Sequence, residues 1–214
     1  MSKIELIEGS CAEQEVDAIV NAANRNLWSG GGICGVIFKK AGYTELTNSC
    51  NEIKTPLNDG EAIITPAFNI TNAKYIIHAV GPDFGHTPNA FKELYEAYYN
   101  SLKLLKENNL NTISFPLISS GIFGYGLDNP VQESTKQCIR AYEKFTTDFP
   151  DYEIDVRLCA FGKNEYDESL QIFNKMMYVE DCGGIKEPQI VDPRENYGRW
   201  DKTCVKVISK PNEQ

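Results

Sequence analysis

Residues 16–38 read VDAIVNAANRNLWSGGGICGVIF, and this stretch decides the fold. Val16, Ala18, Ile19, Val20 and Ala22 make a nearly continuous apolar run, as expected of a strand buried on both faces of a parallel sheet. A loop carrying Asn24, the triplet Gly30, Gly31, Gly32, and Gly35 follows, and Val36, Ile37 and Phe38 lead into a helix. A buried strand, a glycine-rich loop and a helix in succession predict an α/β domain, in which ligands lie at the carboxyl ends of the strands.

The same alternation runs outward from this unit. Candidate strands are Ile4–Ile7, Val16–Ala22, Ala62–Pro66, Tyr75–Val80, Thr112–Ile118 and Ile154–Phe161. The last alternates Ile154, Val156, Leu158 and Ala160 with Asp155 and Arg157, the pattern of an edge strand. Thr87-Pro88 reads as an N-cap and first-turn proline for a helix carrying Phe91, Leu94, Tyr95, Tyr98, Leu102 and Leu105 to Asn108. Asp128 and Asn129-Pro130 repeat the device before Val131, Thr135, Cys138, Tyr142 and Phe145, and Asn164 with Asp167 opens a third helix through Leu170, Phe173 and Met177. The expected architecture is three-layered α/β/α with a mixed, mostly parallel sheet. Residues 1–178 form the domain, and residues 179–214 are an extension packed on it as a hairpin that buries Tyr197, Trp200 and Val205, with a short strand at Cys204–Ile208.

Bulk composition limits the chemistry. The 214 residues carry 21 basic and 30 acidic side chains, a net charge of -9, which disfavours nonspecific binding to nucleic acid because a phosphate backbone is held by Lys and Arg clusters. A single small anion can still be held by backbone N–H groups and helix N-termini. Seven scattered cysteines without a CxxC pair, and a start that lacks an apolar signal core, point to a reduced, cytoplasmic protein. With only His78 and His86 available, neither close to two cysteines, a metal site is not expected; nor is a cofactor or a membrane span.

A second glycine loop, Ser119-Ser120-Gly121-Ile122-Phe123-Gly124-Tyr125-Gly126, runs from a strand towards the helix at Pro130. Glycines let backbone amides approach phosphate oxygens, so two such loops at the ends of strands in one sheet suggest a diphosphate held between them. Either loop alone is equally well a structural turn. Gly30 to Gly35 also satisfy G-x-G-x-x-G, but the Rossmann fingerprint begins at the strand end, whereas Asn24 to Ser29 intervene here and the second loop would have no use. No P-loop motif occurs.

Taken in order, Val16 to Asn24, the glycine triplet, Ile76-Ile-His-Ala-Val-Gly-Pro82 and Ser120-Gly-Ile-Phe-Gly-Tyr125 resemble the landmarks of the macrodomain family, from Ile4 to about Met177. The Gly-Ile-Phe-Gly-Tyr loop is most similar to the MacroD-like class, which removes ADP-ribose from acidic side chains and opens O-acetyl-ADP-ribose. The resemblance implies ADP-ribose, free or on a modified protein, as the partner. It implies that Asn24 hydrogen-bonds the distal ribose, that Gly30, Gly31, Gly32 and Ile33 wrap that ribose and the phosphates, that Ser119, Ser120, Gly121, Ile122, Phe123, Gly124 and Tyr125 serve the diphosphate, with Phe123 also shielding the distal ribose, and that Ala22 is a further ligand-binding position. Phe161 would lie against adenine, or else pack in the core.

Two positions depart from the family. Where it reads Gly-Asp-Ile, with the Asp accepting from the adenine amino group, Gly9 is followed by Ser10 and Cys11. Ten residues after Asn24, where the hydrolases carry an Asp that positions water, stands Cys34. Asn24 and Cys34 are therefore the catalytic candidates, against a small buried thiol for Cys34; hydrolysis could instead use the substrate's own phosphate to activate water. A non-catalytic reader of ADP-ribose or a related signalling nucleotide is the competing reading, and a Rossmann-type oxidoreductase a third. Asp83 and His86 could face the site or merely solvate a loop, and His78 reads as a satisfied interior residue.

Overall fold

A computed structural model of the chain describes residues 1–179 and 206–209. The chain order is β1 (Lys3–Glu8), β2 (Ala18–Ala23), α1 (Gly32–Ala41), α2 (Tyr43–Asn51), β3 (Ala62–Pro66), β4 (Tyr75–Val80), α3 (Phe91–Glu107), β5 (Thr112–Pro116), α4 (Pro130–Asp148), β6 (Asp155–Ala160), α5 (Lys163–Met176), β7 (Tyr178–Val179) and β8 (Lys206–Ser209). The described strands form one sheet in the order β3-β4-β2-β5-β6-β1-β8-β7. Parallel pairing runs from β4 through β2, β5 and β6 to β1, while β3 and β8 join antiparallel, so the sheet is mixed and mostly parallel as expected.

Strand periodicity sorts the core into two layers. On β2, Ala18 and Val20 face one cluster, with Leu94, Tyr98 and Leu102 of α3, Val131, Cys138 and Phe145 of α4, and Phe173 of α5. Ile19 and Ala23 face the other, with Ile37 and Phe38 of α1 and Leu46 and Cys50 of α2. Alternate side chains of one strand thus hold helices on both faces, and burying each Leu, Ile or Phe contributes roughly 1.5–3 kcal/mol.

Four expectations need correction. β6 is interior, paired to both β1 and β5; Asp155 is tolerated there because it meets Lys3 at 3.2 Å, and Arg157 because it reaches Gln14. α3 starts at Phe91, after Ala90, and Thr87 instead donates its backbone N–H to the Asp83 carbonyl. α4 does start on Pro130, yet neither Asn129 nor Asp128 caps it through a side chain. α5 follows Gly162, not Asn164, and Glu165 in its first turn accepts the Phe161 N–H at 2.8 Å. α2 was not expected, and the predicted strand at Cys204–Ile208 is observed as Lys206–Ser209, antiparallel to β1. Tyr197, Trp200 and Val205 lie outside the described residues.

Candidate ligand site

The ladder between β2 and β5 closes only at Ala18–Ile113 and Ile19–Ser114, whereas β2 stays paired to β4 through Ala23 and β5 to β6 through Pro116. The two strands therefore part towards their carboxyl ends, and the two glycine loops leave from either side of the opening. This is the crevice at which open α/β sheets bind ligands.

The first loop is held from within by Asn24. Its Oδ1 accepts the N–H groups of Asn26 (3.2 Å) and Trp28 (3.1 Å), and its Nδ2 donates to the Trp28 carbonyl (2.8 Å). That leaves one Nδ2 hydrogen free for a ligand. Leu27 takes a left-handed φ of 57°, and Arg25 clamps the loop from outside with a bidentate pair to Asp59, both contacts at 2.8 Å.

Cys34 lies under this loop. Its thiol is 5% exposed, accepts the Gly30 N–H at 3.4 Å, and faces the Trp28 carbonyl at 3.7 Å and the Asn21 amide at 3.6 Å. A buried sulfur occupied in this way ties the loop together, which corrects the reading of Cys34 as base or nucleophile; the bland alternative, a small buried thiol, is what is seen. The Asn21 amide also donates to His78 Nδ1 (3.1 Å), and His78 Nε2 meets Thr65 Oγ1 (3.0 Å). Burial pushes the His78 imidazole down to about 4, so it is neutral in this chain of contacts. Sequence reasoning did not find this link, because it joins three strands and a helix far apart in the sequence.

The second loop is fastened at its root. Tyr98 accepts the Ile118 N–H at 2.9 Å, and Ser134 donates to the Ile118 carbonyl. Ser119 adopts φ 56° and donates its hydroxyl to the Pro82 carbonyl, and Ser120 donates to the Leu117 carbonyl, both at 2.8 Å. Ser120 thus spends its hydroxyl within its own loop, and Ser119 spends its hydroxyl on the loop that follows β4. A short turn at Ile122–Gly124 follows, with Gly124 N–H bonded to the Gly121 carbonyl. An open groove of about 530 Å³ runs along this loop past Gly121, Ile122, Tyr125, Asp128 and Pro130.

Two observations single out the glycine loops. A Cβ added at Gly31, Gly32, Gly121 or Gly162 would meet nothing within 4 Å, although at Gly35 it would strike the Gly30 carbonyl at 2.7 Å and at Gly81 the Ser119 hydroxyl at 2.3 Å. The first group is exposed to solvent and the second is required by packing. The N–H groups of Gly31, Gly32 and Ile33 at the start of α1, and of Gly121, Ile122 and Phe123, donate to no acceptor among the described residues. Around them stand exposed apolar side chains, Trp28, Ile122, Tyr125 and Phe161.

Other site candidates are placed as follows. Phe161 is 74% exposed beyond β6, so it is not core. Ala22 is half-buried at the end of β2. Ile33 turns its side chain inward against Ile7, Cys11 and Cys159, leaving only its amide at the site. Cys11 is corrected: its thiol is buried, faces the Val20 carbonyl at 3.5 Å and is pushed up to about 12 by burial. The Ser10 hydroxyl accepts the Ala12 N–H at 3.3 Å and caps a short turn. Trp28 was not singled out from sequence; a lone tryptophan in a loop gives no periodic signal. No group of three or more metal-ligating side chains occurs among the described residues, and none of their helices is long and apolar enough to cross a membrane.

Comparison with known proteins agrees with this geometry. The Macro domain family model matches residues 20–136. A macro domain-containing protein of Caldanaerobacter subterraneus subsp. tengcongensis is 40% identical over 168 residues, 77% of this chain and 92% of that protein. The ADP-ribose glycohydrolase MACROD1 of Mus musculus is 38% identical over 161 residues, 74% of this chain but 48% of MACROD1. Among solved structures, an Oceanobacillus iheyensis macrodomain with ADP superposes with TM-score 0.73 at 31% identity, covering 81% of this chain and 91% of that one. A Trypanosoma brucei macrodomain in complex with ADP-ribose gives TM-score 0.68 at 28% identity, over 78% and 68% of the two chains. With the family model matching residues 20–136, more than half of the chain, and relatives 38–40% identical over about three quarters of it, the chain belongs to the macro domain family.

Proposed function

We propose that this protein binds ADP-ribose across the carboxyl end of its sheet and releases it from ester linkage to acidic side chains or acetate. The observation that carries the reading is the pair of open glycine loops, whose unpaired amides converge on the β2–β5 crevice. Adenine would lie towards Phe161, the diphosphate against Gly121 to Phe123 and the start of α1, and the distal ribose at Asn24. Fixed amides stabilise an anion without a cation and cost little reorganisation when it arrives. MACROD1, an ADP-ribose glycohydrolase, supports the hydrolytic part. In the reaction on a modified acidic side chain, water attacks the anomeric carbon of the distal ribose, the acyl group leaves as a carboxylate, and the proton of the water goes to an acceptor other than the Cys34 thiol.

The occupied thiol also favours a second reading, a module that binds ADP-ribose without turnover. Calorimetric titration with ADP-ribose, beside NAD and AMP, followed by incubation with a Glu-ADP-ribosylated peptide separates the two. Binding with release of ADP-ribose supports the hydrolase, binding without release the reader, and no binding sinks both.

A further inference from the structure

The loop after β4 adds a feature that the two glycine loops do not explain. β4 lies on the far side of β2 from β5, yet this loop touches the β5 loop. The Ser119 hydroxyl donates to the Pro82 carbonyl and Phe84 N–H donates to the Phe123 carbonyl, both at 2.8 Å, and a Cβ at Gly85 would lie 3.2 Å from the Tyr125 carbonyl. To reach both neighbours, residues 81–87 must cross the carboxyl end of β2, the strand that ends beside Asn24. They therefore lie at the end of the crevice opposite Phe161.

This loop carries an oriented imidazole. Asp83 Oδ1 accepts the Gly85 N–H at 3.0 Å, and its Oδ2 faces His86 Nδ1 at 2.8 Å. The His86 and Thr87 N–H groups both donate to the Asp83 carbonyl, closing the turn. A carboxylate only accepts, so Nδ1 carries the proton and, in the neutral ring, Nε2 presents its lone pair outwards. The His86 side chain is 87% exposed and Nε2 is bonded to nothing among the described residues. A carboxylate that fixes the tautomer and supports the imidazolium formed is the arrangement that makes histidine an effective base.

We propose that His86, positioned by Asp83, is the general base of the ester hydrolysis suggested above, in place of the carboxylate missing at Cys34; the assignment rests on that hydrolytic reading. A bond forms between the water oxygen and the anomeric carbon of the distal ribose. The bond from that carbon to the ester oxygen breaks, its electron pair leaving with the carboxylate. The proton of the water passes to His86 Nε2 and from there to solvent. No proton donor is needed for a carboxylate leaving group, which restricts the activity to acyl-linked ADP-ribose.

The test uses the full chain in single-turnover release of ADP-ribose from a Glu-ADP-ribosylated peptide, with ADP-ribose affinity measured alongside. His86→Ala should slow release by about 10²-fold or more while the affinity stays within about two-fold, and added imidazole should restore part of the rate. Asp83→Asn keeps an acceptor for Gly85 N–H but turns a donor towards Nδ1, so it should slow release too while leaving the thermal midpoint in place. Release by His86→Ala at the wild-type rate overturns the assignment and points to the diphosphate of the substrate as the base. If the wild type binds ADP-ribose but releases none from the peptide, the hydrolytic reading has failed and the assignment falls with it.

Discussion

Replacing Gly31 by Ser should make the protein more stable and a poorer binder at once. Gly31 precedes α1 with φ -84° and ψ -176°, a backbone that any residue adopts, and a Cβ there meets nothing within 4 Å. Ser in this place can accept an N–H from the first turn, worth a few tenths of a kcal/mol over Gly, and it removes glycine freedom from the unfolded chain, worth about 0.4–1 kcal/mol. A gain of about 1 kcal/mol raises the midpoint of a chain this size by roughly 2–4 °C. The N–H that the hydroxyl occupies is one the ligand phosphate would use, however, and the new side chain stands in the crevice. Losing one charge-assisted hydrogen bond at about 1.8 kcal/mol weakens binding about 20-fold. At a concentration of ADP-ribose 100 times the wild-type Kd, the stabilisation by ligand should fall from about 2.7 to about 1 kcal/mol. Differential scanning fluorimetry with and without ADP-ribose reads both effects. An undiminished ligand shift in the more stable variant would refute the placement of the diphosphate at α1.

Three further outcomes follow from the site and its supports. Asn24→Ala removes three loop hydrogen bonds and should cost about 2 kcal/mol in urea unfolding, whereas Asn24→Asp keeps both acceptor contacts and should cost about half as much, so activity lost equally in both would point to the free Nδ2 hydrogen. His78 is held neutral, its folded value near 4 against 6.5 unfolded; the unfolded chain therefore binds the extra proton, and stability complete above pH 6.5 should fall by up to about 3 kcal/mol as the pH drops towards 4, an effect absent in His78→Gln. Burial raises Cys50 to about 11 and Cys11 to about 12, and raises Cys138 and Cys159 as well, so peptide-level mass spectrometry should find these four unlabelled by iodoacetamide at pH 8 until the protein is unfolded.

The parts of the fold legible in the sequence were those written in local periodicity. β3 and β4 were placed to the residue, and all five residues read as the stripe of α4 from Val131 to Phe145 are buried, together with Ser134, Gln137, Ile139 and Ala141, because apolar spacing reports directly on which face meets the core. α2 was missed since only Leu46 and Cys50 of its nine residues are buried, too few to make a stripe. β6 was taken for an edge because Asp155 and Arg157 find partners on other segments, which no local pattern encodes. At the site, the glycine loops were legible as composition. Their division into open and packed glycines depends on contacts across the sheet, as does the parting of β2 from β5. The contacts of Ser10, Cys11 and Cys34 with backbone groups could not be read from the sequence, because which backbone group a short polar side chain meets depends on how the loops and strands pack.

The position of β1 between β6 and β8 has a consequence for how the chain is made. Ile4, Leu6 and Ile7 are fully buried in the finished sheet, but the parallel partner of β1 begins only at Asp155. At about 5–20 residues per second on the ribosome, this strand waits roughly 8–30 s for β6 to emerge, long after β2, β4 and β3 can pair among themselves. During that interval it is an apolar strand with both edges open, the stretch of this protein most in need of a chaperone. Limited proteolysis of ribosome-bound nascent chains should accordingly find β1 open to cleavage until the residues of β6, up to Ala160, have emerged.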